Sequence, residues 1–499
     1  MIKWQEAWER LIELEKRTAQ LGSIGSLIGW DEQVNLPKGS AELRARQQAV
    51  LGEAVHRAAS DRNIGACLDV LEEVPDYLSP EQTVVVREAR KDFDRATRIP
   101  ADFVRRREEA QSRSYHAWVA ARESGSFDEF LPHLKSQLRF AHEEAAFLDA
   151  IDPYDYWIDR FDPGMTAQRI QSLFDPLLKE LRPLADTITG ASSELPENTF
   201  RGFPVDRQET FLREVVEKMG FDFNHGRIDT AVHPFCSGHS LDCRMTTRFD
   251  PDNPLDSLSS AMHEAGHGLY EQGLPADWLD TPMGQAVGMA VHESQARLWE
   301  NQVGRSRPFW QHWEARYREL FGEQLKSVDS ETLYRSINRV ALTPIRVDAD
   351  EVTYNLHIML RFEIEQQLFK GEIEAGDLPE AWNAASMKFL GFEPSSHSEG
   401  CLQDVHWATG AFGYFPSYCI GNMIGAQLWY QLRADLPQLD EQLATGDCQG
   451  LLKWLRENVH RKGRLYGTPD LVLRISGEEL SPRFLVRYLQ ERYLPLYRA

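Results

Sequence analysis

Two histidines four residues apart mark the stretch Ser259-Ser260-Ala261-Met262-His263-Glu264-Ala265-Gly266-His267-Gly268, in which a glutamate directly follows the first histidine. Residues four apart on a helix lie on the same face, so both imidazoles can reach a single metal ion. Glu264 lies one step round the helix, where it can reach a water on that metal but is poorly placed to coordinate it. The spacing therefore predicts a metal site with a general base beside it.

The flanking residues place this stretch inside a half-buried helix. Apolar residues recur at helical spacing, namely Leu258, Met262, Ala265 and Leu269. Asp256 and Ser257 precede them and offer N-cap chemistry. Gly266 and Gly268 are poor helix formers, so we expect another element or a ligand to lie close to them. An H-E-x-x-H pattern in such a helix is typical of zinc peptidases.

Composition narrows the class of protein. The 499 residues carry a net charge of -22, which argues against nucleic acids and anionic membranes as partners. We find neither the core of a signal peptide nor an apolar run of about 18 residues, so no membrane association is expected. The six cysteines show no C-x-x-C pairing, which indicates free thiols and a cytoplasmic location.

A catalytic zinc needs a third protein ligand besides His263 and His267. The next helical stretch, Gly288-Met289-Ala290-Val291-His292-Glu293-Ser294-Gln295, supplies two candidates. We favour Glu293, because a downstream glutamate is the third ligand in the glutamate class of zinc peptidases. His292 could serve instead, or it could be a buried neighbour that hydrogen bonds to a ligand.

Six short motifs follow one another along the chain: His233-Pro234-Phe235, Asp242-x-Arg244-x-Thr246, His263-Glu264-x-x-His267, His292-Glu293-Ser294-Gln295, Ile345-Arg346-x-x-Ala349-Asp350 and Gly400-x-x-Gln403-Asp404-x-His406-Trp407. Together, and in this order, they resemble the carboxypeptidase Taq family of metallocarboxypeptidases. The resemblance covers nearly the whole chain, since Trp30-Asp31 and Leu36-Pro37 also match the family's N-terminal segment. Gln33-Val34-Asn35-Leu36 departs there from the Glu-Thr-x-Met of the family.

The resemblance implies both the function and the site. It implies a zinc-dependent metallocarboxypeptidase that releases single C-terminal amino acids from peptides with broad specificity, by attack of a metal-bound water. Co²⁺ often substitutes for Zn²⁺ in this family, and a homodimer is expected. By motif match, His263, His267 and Glu293 become the metal ligands and Glu264 the catalytic base.

The implied fold is mainly α, a large helical peptidase with a long central groove and a small β-sheet beside the zinc site. We expect residues 1–499 to form a single peptidase domain. Residues 1–200 would form a mostly helical lid or wall, and residues 201–499 would form the zinc-bearing catalytic part.

Several local features are also predicted from the residues. The first helix is expected to end at Gly22, residues 153–163 to form an aromatic loop, and residues 190–204 to form a linker. Residues 241–249 alternate as in a strand. That strand could hold an extended peptide beside the metal, or it could belong to a structural hairpin.

A carboxypeptidase must also recognise a free carboxylate, for which the planar guanidinium of arginine is well suited. Arg346 is the first candidate for substrate binding and Arg244 the second. Either could instead form a structural ion pair, with Asp350 or Asp242 respectively. Residues 410–418, rich in glycine and aromatics, are predicted to form a mobile loop over the substrate.

Further candidate groups come from the same region. Tyr418, ahead of Tyr414, is predicted to contact the substrate terminus or the transition state. His406, as a catalytic group, and His233, as a substrate-binding group, could donate to the oxyanion or bond to a ligand residue. Asp404 is expected to orient His406. Trp407 is expected to line the groove.

Two other functions share part of this pattern. A zinc oligopeptidase that cuts internally or releases dipeptides can have the same ligands, but it does not need an arginine for a terminal carboxylate. A peptide-binding protein with a structural metal is the non-catalytic alternative, and the intact Glu264 argues against it.

Overall fold

Twenty α-helices and three short β-strands make up the part of the chain that the computed structural model describes, residues 3–191 and 199–497. The mainly α fold expected from the sequence is confirmed. Residues 192–198, which form about half of the expected linker, lie outside the described residues. Within the described ranges, no helix is both long enough and apolar enough to cross a bilayer.

The elements follow one another in three groups. The helices before the sheet are α1 Lys3–Val34, α2 Ala41–Ala59, α3 Arg62–Glu72, α4 Pro80–Arg98, α5 Ala101–Ser124, α6 Phe127–Phe147, α7 Pro153–Phe161, α8 Ala167–Gly190 and α9 Val205–Met219. The strands are β1 Gly226–Thr230, β2 Cys236–His239 and β3 Asp242–Thr247. The helices after the sheet are α10 Pro254–Glu271, α11 Met289–Arg297, α12 Arg307–Phe321, α13 Ser330–Ile337, α14 Tyr354–Lys370, α15 Leu378–Phe389, α16 Phe415–Asp435, α17 Leu439–Ala444, α18 Gln449–Asn458, α19 Thr468–Ser476 and α20 Pro482–Tyr497.

Several helix ends follow from local sequence signals. Ser79 and Gln82 form a capping box at the start of α4, an arrangement that satisfies two backbone N–H groups at once. The Thr166 hydroxyl accepts a hydrogen bond from the Arg169 N–H at 3.2 Å and so caps α8, as predicted. Gly220 ends α9 with a left-handed φ of 102°, a conformation that glycine adopts without strain.

Other predicted boundaries are wrong. Helix α1 continues through Gly22 to Val34, and its buried face extends as far as Trp30, which is 4% exposed. Residues 153–161 form α7 instead of a loop, because the Asp152 carboxylate accepts from the two first free N–H groups of that helix. Helix α10 begins at Pro254, so Asp256 and Ser257 lie inside its first turn.

The three strands form one small sheet in the order β1-β3-β2. Strand β1 runs parallel to β3, and β2 runs antiparallel to it. The predicted strand within residues 241–249 is therefore the central strand of the sheet. Its Cys243 and Met245 are fully buried, and a Cβ placed on Gly268 of α10 would lie 3.3 Å from the Cys243 sulfur. The sheet thus packs directly against the helix that carries the histidines.

One large apolar core and two smaller ones hold the helices together. The large core includes residues on both sides of residue 200, from Trp118 to Leu496. One smaller core lies among α1, α3 and α4 and includes Leu68 and Met283. Burying a side chain such as Leu68 stabilises the fold by about 2 kcal/mol. Because Met283 lies between α10 and α11, the N-terminal helices are packed against the segment that joins the two helices of the predicted site.

Candidate active site

Helices α10, α11 and α16 approach one another closely because glycines lie at their contacts. A Cβ on Gly266 would lie 2.5 Å from the Cα of Ala296 on α11. A Cβ on Gly421 of α16 would lie 2.6 Å from Cγ of Glu293. Any larger residue at either position would push the backbones apart. The close neighbour expected beside Gly266 is therefore α11, the helix that carries Glu293.

His263, His267 and Glu293 come together where these helices meet. Oε2 of Glu293 lies 3.7 Å from Nε2 of His263 and 3.8 Å from Nε2 of His267. Two ligands that each lie about 2.1 Å from one ion can be at most about 4.2 Å apart, so these distances fit a shared divalent ion. In the described part of the chain, they are the one group of three His, Cys, Asp or Glu donors whose ligand atoms all lie within 4.8 Å of one another.

Arg297 and Glu300 orient one side of this cluster. Nε of Arg297 donates to Oε1 of Glu293 at 2.7 Å, which leaves Oε2 facing the histidines. Nδ1 of His263 donates to Glu300 at 2.9 Å, so its Nε2 faces Glu293. Burial raises the pKa of Glu300, but Arg297 and His263 outweigh it and lower the pKa to about 2. Glu300 therefore stays ionised and accepts the hydrogen bond from His263.

The sequence analysis did not assign a role to Arg297 or Glu300, although their spacing could have indicated one. They follow Glu293 by four and seven residues, and such positions share one face of a helix. The helix widens to a π-helix over Leu298–Val303. Such widenings are frequent at functional sites.

His292 contacts the other side of the cluster. Its Nδ1 lies 2.6 Å from Nδ1 of His267, and its Nε2 lies 2.8 Å from Oε1 of Glu271. Of the two alternatives for His292, the geometry corresponds to a neighbour that hydrogen bonds to a candidate ligand. Burial and the adjacent His292 and His263 hold the pKa of His267 well below its ordinary value, so His267 is neutral and has a lone pair to offer.

Glu264 is a buried carboxyl group without a hydrogen-bond partner in the described part of the chain. It is 6% exposed. Among the residues that the structure describes, none forms a hydrogen bond or ion pair with its carboxylate. Burial raises the pKa of Glu264 to about 7, while His263 lowers it and Glu293 raises it to smaller extents. A carboxyl group in this state can exchange a proton near neutral pH.

A second charged cluster surrounds Asp404. Nε of Arg346 donates to Oδ1 of Asp404 at 2.9 Å, and Nε of Arg361 donates to Oδ2 at 2.6 Å. Burial raises the pKa of Asp404, but the two arginines hold it well below its usual range. Two guanidinium groups around one carboxylate leave one positive charge in excess. Asp350, the alternative partner expected for Arg346, does not pair with it. Asp350 instead accepts hydrogen bonds from Thr353 and from backbone N–H groups.

His406 and Tyr418 lie against Arg346. Nε2 of His406 is 3.3 Å from the Tyr418 hydroxyl, and Cζ of Arg346 is 5.1 Å from the centre of the Tyr418 ring. Burial lowers the pKa of His406 to about 3, so its imidazole is neutral. The expectation that Asp404 orients His406 is wrong, since the Asp404 oxygens bond to the two arginines. Trp407 does not line a groove, because it is 3% exposed and donates to Glu365 at 2.7 Å.

The predicted loop over residues 410–418 is found only over residues 410–414. Helix α16 begins at Phe415, with Pro416 in its first turn, a position where proline favours a helix. The Ser417 hydroxyl donates to the buried Asp162, which also accepts from the N–H of Ala290 in α11 at 2.7 Å. Tyr418 therefore lies on a well-anchored first helical turn.

Tyr354 joins the two clusters. Its hydroxyl accepts from Nη1 of Arg346 at 2.9 Å. Its ring centre lies 4.7 Å from Cζ of Arg297, whose Nε binds Glu293. The sequence analysis missed Tyr354, since nothing in its local sequence distinguishes it from a core tyrosine. It provides a short path between the predicted metal ligands and the arginine cluster.

Arg244 and His233 do not join either cluster. Arg244 donates to both carboxylate oxygens of Asp242, at 2.8 and 3.0 Å. Its Cζ also lies 4.2 Å from the centre of the Trp30 ring, so α1 covers it. His233 is exposed on the segment before β2, and its ring forms no hydrogen bond with any described residue.

A cavity of about 640 Å³ opens beside the metal cluster. Its walls come from both parts of the chain. The N-terminal part contributes residues of α1, α4 and α7, including Ser26, Lys91 and Asp159. The other wall includes Glu271, Met289 and His292. The cavity therefore extends as far as His292, which contacts His267.

Comparison with known proteins identifies relatives over nearly the full length of the chain. The profile described as carboxypeptidase Taq (M32) metallopeptidase matches residues 10–493. The thermostable carboxypeptidase 1 of Thermus thermophilus is 39% identical over 508 aligned residues, which cover 99% of each chain. Carboxypeptidase 1 of Bacillus subtilis is 34% identical, and the alignment covers 98% of each chain. The crystal structure of an M32 carboxypeptidase from Deinococcus radiodurans R1 is 42% identical, with a TM-score of 0.96 over 99% of this chain and 100% of that one.

These matches span almost the full length of the chain and of its relatives. Four of the six motifs that carry the resemblance lie on α10, on α11 or around Asp404. The chain therefore belongs to the carboxypeptidase Taq (M32) family and is a metallocarboxypeptidase.

Proposed function

We propose that this metallocarboxypeptidase holds Zn²⁺ with His263, His267 and Glu293, and that it removes single C-terminal residues from peptides with broad specificity. One observation carries the proposal. The three donors converge next to Glu264, a buried carboxyl group without a protein partner among the described residues. Two imidazoles and one carboxylate are a common ligand set for catalytic zinc, and Co²⁺ fits the same donors.

Glu264 carries the proton transfers in this proposal. When bound, zinc supplies Lewis-acid chemistry towards a water molecule and the peptide carbonyl. The Glu264 carboxylate takes a proton from the water, and the oxygen of that water bonds to the peptide carbonyl carbon. The C–N bond then breaks, and Glu264 returns the proton to the leaving amine. One water is consumed, and the products are a shortened peptide and a free amino acid.

The Asp404 cluster is proposed to recognise the substrate's terminal carboxylate. Its excess positive charge is buried, since Arg346 is 7% exposed, and such a charge attracts an anion more strongly than a solvated one. Tyr418 and the neutral His406 are proposed to contact the carboxylate or the developing oxyanion. Arg346 suits this role better than Arg244, because Arg346 shares one carboxylate with Arg361, whereas the charge of Arg244 is balanced by its own partner Asp242. The exposed His233 is proposed to contact the substrate further from its terminus.

We also propose that the protein is a homodimer in the cytoplasm. The dimer follows from the family resemblance. All six cysteines are free thiols, including Cys236 and Cys243, whose sulfurs lie 3.5 Å apart. Thiols that stay reduced at this distance fit a reducing compartment.

Mass spectrometry of a peptide digested by the zinc-loaded protein tests the proposal. The peptide is supplied as a free acid and as its C-terminal amide, and a chelated sample serves as the control. We expect stepwise loss of single C-terminal residues from the free acid, slow or no loss from the amide, and no cleavage with the chelator. Internal or dipeptide cuts, or equal cleavage of the amide, would instead identify an oligopeptidase. Absence of cleavage with both Zn²⁺ and Co²⁺ would favour a binding protein.

A further inference from the structure

Two hydrogen bonds in series, beginning at its Nδ1, orient the His267 ring. Its Nδ1 lies 2.6 Å from Nδ1 of His292 on α11, and Nε2 of His292 lies 2.8 Å from Oε1 of Glu271. Glu271 follows His267 by four residues, so both ends of this chain of bonds lie on one face of α10. Neither His292 nor Glu271 has a part in the proton transfers above. We refer to these two residues as the relay.

The Glu271 carboxylate sets the direction of both hydrogen bonds. A carboxylate only accepts, so Nε2 of His292 carries a hydrogen and donates it to Glu271. A neutral His292 then has its lone pair on Nδ1, which accepts from the Nδ1–H of His267. His267 is left with a lone pair on Nε2, the atom that lies 3.8 Å from Oε2 of Glu293. Glu271 thus selects the tautomer of a residue that it does not touch.

Packing holds the His292 ring in place. Its centre lies 4.6 Å from that of His267 and 5.0 Å from that of Tyr270. Tyr270 is itself fully buried, and its hydroxyl accepts from the N–H of Val287 at 3.2 Å. The ring therefore keeps the orientation that both hydrogen bonds need.

The other histidine ligand is oriented in a different way. Nδ1 of His263 bonds directly to Glu300, and Arg297 donates to the same carboxylate oxygen at 2.9 Å. His263 thus needs one hydrogen bond to define its tautomer, whereas His267 needs two. The side chain of Glu271 is 25% exposed, compared with 10% for Glu300. Glu271 can therefore be mutated with less disturbance of the core than Glu300.

We propose that His292 and Glu271 are positioning residues that keep His267 in the tautomer whose Nε2 faces the metal. This inference rests on the proposed zinc site. A leucine at position 271 can neither accept nor donate, so the hydrogen of His292 is no longer fixed on Nε2. It can then lie on Nδ1 of His292, which places the hydrogen of His267 on Nε2, where it blocks the ligand atom.

The test measures the Kd of Zn²⁺ by competition with a chromophoric chelator, together with the Tm of each metal-free variant. We expect Glu271→Leu to raise the Kd by about 10- to 100-fold, the range typical for losing the partner of a ligating histidine, and to leave the Tm unchanged. His292→Leu should weaken zinc binding by a similar factor. His292→Asn should recover most of the affinity, because its side-chain oxygen can accept from His267. Glu209→Leu on the exposed face of α9 is the matched control and should bind zinc normally.

Three results would overturn the relay. They are an unchanged Kd in Glu271→Leu, equal losses in His292→Asn and His292→Leu, and a lower Tm of metal-free Glu271→Leu without a change in Kd. His267→Ala separates this inference from the zinc site itself. If His267→Ala binds zinc as tightly as the unaltered protein, the proposed site is wrong. If His267→Ala loses zinc but Glu271→Leu keeps it, only the relay is wrong.

Discussion

Glu264 and Asp404 are both buried carboxylates, but their surroundings differ in kind. Glu264 is 6% exposed and has no hydrogen-bond or ionic partner among the described residues, and burial raises its pKa to about 7. The Asp404 side chain is 8% exposed and is bound by two arginines, which keep it ionised. An unpaired carboxyl group is free to move a proton, whereas a doubly paired one can only hold its neighbours in place. Glu264 is accordingly proposed to react, and the Asp404 cluster is proposed to bind.

The largest expected effect is a loss of hydrolysis when Glu264 is replaced. Glu264→Gln keeps the shape of the side chain but cannot accept a proton from water. We expect kcat to fall by about 10²- to 10⁴-fold, the range for losing a general base, while zinc content stays at the unaltered level. Steady-state kinetics and metal analysis of the same preparation check this. A variant that retains full activity would remove Glu264 from the mechanism.

The next effect is on stability. Asp404→Asn leaves Arg346 and Arg361 buried without a counter-ion, and breaking a buried ion pair in this way costs about 3–5 kcal/mol. Urea unfolding should show this loss for Asp404→Asn, while Glu264→Gln, which removes no partner, should lose none. Asp186→Asn is the control, since Asp186 pairs with Arg182 at the surface, where a salt bridge contributes at most about 1 kcal/mol. Equal stability of Asp404→Asn and the unaltered protein would contradict the role given to Asp404.

The pH dependence of stability should run in opposite directions at the two carboxylates. In the metal-free protein, burial raises the pKa of Glu264 from 4.5 to about 7. The contribution of Glu264 to the free energy of unfolding is therefore fully present below pH 4.5. This contribution, up to roughly 3 kcal/mol, is lost as the pH rises through 7. Asp404 has a lowered pKa, so its contribution is present above its unfolded value and is lost only in acid.

Unfolding of chelated protein between pH 4.5 and 8 measures this difference. The gap in free energy of unfolding between Glu264→Gln and the unaltered protein should widen as the pH rises. A gap that stays constant across this range would show that Glu264 has an ordinary pKa in the folded protein.

A smaller effect is expected at Tyr354, which connects the two clusters. Tyr354→Phe removes the hydroxyl that accepts from Arg346 and leaves the ring against Arg297. Losing one such hydrogen bond costs about 1–2 kcal/mol. We expect a similar loss in kcat/KM, roughly a factor of 5–30, with zinc affinity unchanged. If zinc affinity falls instead, Tyr354 supports the metal cluster and not the arginine.

The metal cluster could be predicted from sequence because its parts are local. His263, Glu264 and His267 belong to one helix, so helical spacing alone places them together. Glu293 was favoured from the next helical stretch, and the motif match agreed with it. The surroundings of Arg346 were harder to predict, since Asp404 is 58 residues away in sequence and Asp350, only four residues away, was the expected partner. A pairing that depends on how distant segments pack leaves no periodic signal in the sequence.

The errors in secondary structure have a similar origin. Gly22 was expected to end α1, but the apolar face of that helix continues to Trp30 and outweighs the low helix propensity of one glycine. Aromatic residues and glycines around 410–418 indicated a loop, whereas Pro416 and the hydrogen bond from Ser417 to Asp162 favour a helix start. The partner in that bond lies more than 250 residues earlier in the chain. Local composition could not indicate it.

The most direct test of the account compares kcat/KM for one peptide as a free acid and as its C-terminal amide, in the unaltered protein and in Arg346→Met. The account assigns cleavage to the metal cluster and recognition of the carboxylate to Arg346. We expect the unaltered protein to prefer the free acid strongly, and Arg346→Met to lose about 10- to 100-fold on the free acid while its rate on the amide stays the same. Arg346→Met that retains the unaltered preference for the free acid would contradict the account.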